Sequence, residues 1–228
     1  MNGNPNIDHL LQTWTLQGEA LASLDLSADN ARRRDQILLT ARGAAEALAA
    51  TRAAVEADPE LSPTGKANRI AAAERKAAQA IPGIRSLLNH IAADFRKLTE
   101  IPPPQGSGDA RVDEQKRAEL RAVMDKLDPL EVRARCLSEA SQGRAEVTHA
   151  VLAAPPEAFP RLASALDEGT RRAIGLELRT HYNPDARRTA EDLSMLLDSL
   201  NAVADDLGRT VGEAGDPIAR MAAEGQAA

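Results

Sequence analysis

Aromatic residues make up only 2% of this chain: one Trp, one Tyr and two Phe among 228 residues. A core built almost without rings must come from smaller aliphatic side chains, each of which buries less area. A single cysteine, Cys136, excludes an intramolecular disulfide and gives no sign of an oxidising compartment. No apolar run approaches the roughly 20 residues that span a bilayer, and residues 1–8 lack a charged segment leading into an apolar one. A soluble protein made in the cytoplasm, with no membrane partner, is the expectation. Basic charge is also short. The net charge of −6 opposes general nucleic-acid binding, which needs a concentrated basic face. Arg32, Arg33 and Arg34 form the one tight basic run and read as a solvated helix start. Strict apolar/polar alternation is absent too, so no strand is expected.

What the chain does contain is Ala, Leu, Arg and Glu, the composition of helices. In residues 67–98 an apolar stripe follows alternating steps of three and four: Ala67, Ile70, Glu74, Ala77, Ile81, Ile84, Leu88, Ile91, Phe95, Leu98. Only Glu74 breaks it. A period near 3.5 is that of a helix burying one narrow seam along another helix. A preceding helix over residues 29–57 repeats the pattern with Ile37, Ala41, Ala44, Leu48, Thr51 and Val55. Pro59 stops this helix, and Ser62-Pro63 starts the next with a capping hydroxyl and a proline whose missing N–H costs nothing there. Two helices joined so briefly lie antiparallel. The expectation is therefore an all-α chain: a long, coiled-coil-like antiparallel hairpin followed by a bundle of shorter helices. Pro82-Gly83 should kink the long helix without ending it. Ile84→Asp should cost several kcal/mol, and Glu74→Leu should be neutral or stabilising.

Residues 1–27 fit neither period, and Trp14 reads either as a docking anchor or as part of a short helix folded back on the hairpin. Three prolines followed by Gly and Ser mark residues 101–109 as a linker. This gives an arm plus hairpin over 1–100, a helical region over 110–211, and a tail over 212–228 that frays. Within the second half, Asp128-Pro129-Leu130-Glu131 is a capping box, Gly143 ends a helix, Pro155-Pro156 ends another, and Asn183-Pro184 opens the last long helix.

Chemistry is hard to find. His9, His90, His149 and His181 have no ligand spacing. Cys136 reads as a small buried hydrophobe, because no base is at hand to activate it. Asp192 with Asp198, and Asp205 with Asp206, read as solvated carboxylates on a helix. Gly106-Ser107-Gly108 and Pro63-Thr64-Gly65-Lys66 echo phosphate loops without the residues that make one work. No catalytic, metal or cofactor residue is nominated, and an enzyme is not expected. The candidate residues are those of the seam or of docking: Trp14, Ile37, Leu48, Val55, Ile70, Ile81, Ile84, Leu88, Ile91, Phe95 and Leu98.

Two stretches, together about a seventh of the chain, carry a resemblance. Ala57-Asp-Pro-Glu-Leu-Ser-Pro-Thr-Gly-Lys-Ala-Asn-Arg-Ile70 is similar to the turn of a helical hairpin in accessory proteins of tailed bacteriophages. Leu137-Ser-Glu-Ala-Ser-Gln-Gly-Arg-Ala-Glu-Val-Thr-His-Ala-Val-Leu-Ala-Ala-Pro-Pro156 resembles a second segment of such proteins, a helix, a Gly turn and another helix before a Pro-rich loop. The resemblance implies a helical virion or assembly component that binds copies of itself or a larger virion protein, with no active site to transfer. The alternative is a soluble helical chaperone or regulatory binding module.

Overall fold

The computed structural model describes residues 7–104 and 106–212. Among them every regular element is a helix: α1 (Ile7–Ala22), α2 (Ala28–Ala57), α3 (Pro63–Ala78), α4 (Ala80–Thr99), α5 (Ala110–Met124), α6 (Pro129–Ser141), α7 (Glu146–Leu152), α8 (Pro160–Ala165), α9 (Glu168–Tyr182) and α10 (Ala186–Thr210). Residues 213–228 of the tail expected to fray lie outside the described residues.

Local signals place most helix starts. The hydroxyl of Ser27 accepts from the Asn30 N–H and that of Ser62 from the Gly65 N–H, capping α2 and α3. Asp128 and Glu131 close a reciprocal capping box at α6, and Gly143, at φ +74°, reverses the chain after it. The segment Leu137–Pro156 accordingly folds as a helix, a glycine turn, a helix and a proline loop.

Residues 67–98 are not one kinked helix. The break falls at Gln79, ahead of Pro82, where the Gln79 N–H bonds Lys76 O in a tightened turn. Pro82 has no N–H for the Ala78 carbonyl and its ring crowds that turn. Ending α3 at Ala78 leaves Pro82 in the first turn of α4, where no donor is required. The division of the chain also differs from the expectation. Residues 7–92 together with 192–212 form one compact unit, and the described residues of Ala93–Glu191 form the other. Residues 101–104 and 106–109 are irregular and belong to the second unit: Ile101 packs on its core, and Pro102 O bonds His149 Nε2 at 2.8 Å.

The first unit is a bundle of α1, α2, α3 and the adjoining parts of α4 and α10. The α1/α2 pair is antiparallel, with Arg34 reaching Leu21 O and Arg42 reaching Thr15, and so is α2/α3, with Lys66 reaching Glu56 O and Arg52 reaching Glu74. Asp25 N–H donates to Asp192 at 3.2 Å, Trp14 Nε1 to Asp206 at 3.4 Å, and Arg52 to Thr210 O at 3.1 Å. Following α10 thus passes the α1–α2 turn, the middle of α1 and the end of α2, so α10 runs parallel to α2. Its core is aliphatic except for Trp14: Ile37, Leu48, Ile84, Ile91, Leu196, Leu200 and Leu207 are almost wholly buried. Fully burying one such side chain is worth about 1.5–3 kcal/mol.

The second unit is organised around α6, against which α7, α8 and α9 pack, while α5 packs on α7. Val132, Cys136, Val151, Leu162, Ile174 and Leu178 form its core. Residues 160–182 fold as two helices, because Asp167 caps α9 by accepting from the Thr170 N–H at 2.7 Å.

Candidate interaction site

The seam candidates fall into two groups. Ile37, Leu48, Val55, Ile84, Leu88 and Ile91 are buried, and Trp14, 4% exposed, lies with them inside the first unit. Ile70 and Ile81 in the first unit and Phe95 and Leu98 in the second are half-buried. Most of the stripe is therefore spent on the chain's own packing, and Trp14 is part of a core.

The apolar side chains that face outward are others. Leu39 is 73% exposed and Leu16 is 61% exposed. Arg42 of α2 donates to the Thr15 hydroxyl of α1, and a Cβ built at Gly18 would lie 3.4 Å from the Leu38 side chain. These pairings set Leu16 level with Leu39 on adjacent antiparallel helices. Each stands two residues from a buried position, Trp14 or Ile37, and a two-residue step turns a helix by about 200°. Both leucines point away from the core. The sequence held one clue, since Leu39 is a large apolar residue off the stripe.

In the second unit a cleft of about 530 Å³ opens where the end of α4 crosses α9. Gly175 permits the crossing: a Cβ there would overlap the Thr99 carbonyl oxygen. Arg179 fixes it from the side by donating to Lys97 O at 2.9 Å, satisfying a carbonyl at the negative end of α4. The cleft is lined by Arg96, Lys97, Arg171 and Arg172, by the carboxylates Glu100 and Glu168, and by Ala93, Thr99 and Ile101. Arg172 pairs with Glu168 at 3.0 Å and Lys97 with Asp94 at 3.0 Å, while Arg171 Nε donates to Leu166 O at 2.9 Å. No sequence signal joined these residues, because 96–101 and 168–172 meet only through the fold.

Several of the remaining polar candidates have structural partners. Burial pushes the Cys136 thiol upward in pKa, the opposite of an activated nucleophile. Asp192 is buried and accepts from the Asp25 N–H, so it is not the solvated carboxylate expected; Asp206 receives Trp14 and Arg209. His181 Nδ1 lies 3.2 Å from Ser141 O, and Tyr182 donates to Gly143 O at 2.9 Å. The Ser107 N–H of the Gly-Ser-Gly turn binds the chain's own Asp113 carboxylate at 3.0 Å, which holds that carboxyl below its usual range. Arg34, within the basic run, donates to Leu21 O at 2.9 Å and so caps α1. Among the described residues no group of three His, Cys, Asp or Glu side chains could hold a metal ion, and no helix is long and apolar enough to cross a membrane. The chain matches no family model, no curated protein and no solved structure.

Proposed function

We propose that this protein is a helical structural or assembly component, of the kind that helps to build a tailed-phage particle. It works without catalysis, by binding copies of itself or a larger protein through outward helix faces. The observation that supports this most is the level pair Leu16 and Leu39, both more than half exposed, on the outer side of the α1/α2 layer. Outward apolar side chains set on rigid helices are the anchors that protein interfaces use. The resemblance of residues 57–70 and 137–156 to phage accessory proteins supplies the setting.

Light scattering across a concentration series tests the reading. Association should grow with concentration and be lost in a Leu16→Glu/Leu39→Glu variant whose helical content is unchanged. A chain that stays monomeric at every concentration, and that does not co-sediment with capsid, portal or tail proteins encoded beside it, overturns it.

A further inference from the structure

We infer that the cleft between the end of α4 and α9 is a docking site for a carboxylate-rich segment of a partner protein. The inference rests on the reading that this protein works by binding protein, and it adds a second, chemically distinct surface. The second unit as a whole is nearly balanced, with 16 Lys and Arg against 17 Asp and Glu in residues 93–191. Its cleft is not: four cations line it against two carboxylates, or three with the Asp94 that pairs with Lys97. Two of the ion pairs those cations make are exposed. In Arg172–Glu168 the two side chains retain 51% and 72% of their accessible surface, and in Lys97–Asp94 they retain 74% and 29%. Exposed pairs of that kind contribute little, so an arriving carboxylate can exchange for them readily.

Two further features favour a peptide over a free anion. The cleft is several times larger than one phosphate, and Ala93 and Ile101 give it apolar walls beside the cations. That combination suits acidic side chains alternating with aliphatic ones. The backbone that carries the cations is also held in place, since the Gly175 crossing and the Arg179 bond to Lys97 O lock the two helices together. Arginines on a fixed backbone keep their spacing, and each can take a carboxylate with two parallel hydrogen bonds. A nucleic-acid strand would want aromatic stacking platforms, and the cleft lining contains none.

The test uses the full chain and a fluorescein-labelled peptide rich in Glu, Asp and Leu, read by anisotropy. A control peptide carries Gln and Asn in place of the acids. The acidic peptide should bind and the control should not, and added salt should weaken the complex. Arg172→Glu, whose ion-pair partner is the exposed Glu168, should reduce affinity by about tenfold or more with an unchanged melting curve. Arg171→Gln should act in the same direction. Absence of binding, equal binding of the two peptides, or equal binding by Arg172→Glu overturns the inference. So does displacement of the peptide by low concentrations of tripolyphosphate or of a single-stranded oligonucleotide, which would make this a phosphate site. The Leu16→Glu/Leu39→Glu variant should bind the peptide normally. Loss of self-association with peptide binding intact would therefore separate the two readings.

Discussion

Arg52 on α2 holds Glu74 on α3 at 2.8 Å and, with the same Nη2, the Thr210 carbonyl on α10 at 3.1 Å. The one charged position in the apolar stripe is thus a junction of three helices. It stands where α10 reaches its last turn and exposes carbonyls that need donors. The sequence pattern treats Glu74 as a flaw; the structure makes it the partner of an arginine side chain that is only 14% exposed.

Glu74→Leu is therefore expected to destabilise the first unit by about 1–2 kcal/mol, because it strands a largely buried guanidinium. This reverses the expectation drawn from the stripe. Adding Arg52→Met should recover most of the loss by removing the stranded charge. Trp14 is the only tryptophan and is buried in the same unit, so its fluorescence during urea unfolding reads both variants directly.

Ile84 is fully buried in α4. Ile84→Asp should cost about 4 kcal/mol or more, since it puts a carboxylate into a fully buried aliphatic position. Loss of the cooperative Trp14 transition at room temperature is the expected result, with Ile84→Val costing only about 1 kcal/mol as the comparison.

These two positions show what could and could not be read in advance. Ile84 lies on a stripe whose period is local, and periodicity, like the Ser62-Pro63 start or the Asp128–Glu131 box, needs only neighbours a few residues apart. Glu74, Asp192 and Trp14 have partners more than twenty, 160 and 190 residues distant respectively, and nothing in a single sequence announces such pairs. The return of α10 to the first unit is of the same kind, which is why a boundary at the prolines of 101–109 looked natural. The misplaced break before Pro82 has a different origin. A proline's effect falls on the carbonyl four residues earlier, so the helix ended at Ala78 and not at the proline itself. The basic cleft was illegible for both reasons, being assembled from two segments about seventy residues apart with no motif in either.

Acid should weaken the second unit. The Ser107 N–H lowers the Asp113 pKa, hydrogen bonding from Arg121 lowers that of Glu114, and the Thr170 N–H lowers that of Asp167. A carboxyl whose pKa is lower folded than unfolded contributes stability above its unfolded value and loses it as pH falls through the folded one. Stability should thus decline as pH falls through and below the ordinary carboxylate range, about 4. Asp167→Asn keeps a good helix cap but cannot titrate. Its melting temperature, followed by circular dichroism over that range, should fall less steeply than that of the unaltered chain. A parallel fall in both proteins would mean that Asp167 carries none of the dependence.

Two glycines should respond to alanine with opposite signs. At Gly175 the new methyl would overlap the Thr99 carbonyl oxygen, which belongs to backbone and cannot swing aside, so α4 would have to lift from α9. Overpacking of that severity costs about 3 kcal/mol. At Gly43, inside α2, nothing lies within 4 Å of the added Cβ. Alanine there restricts the unfolded chain and favours the helix, for a gain of about 0.5–1 kcal/mol. Thermal melts of the two variants separate the effects. Gly175→Ala carries a further consequence, because the cleft exists only while the crossing is tight. If the helices part, the four cations lose their fixed spacing and the acidic peptide should bind more weakly, even under conditions where the variant remains folded.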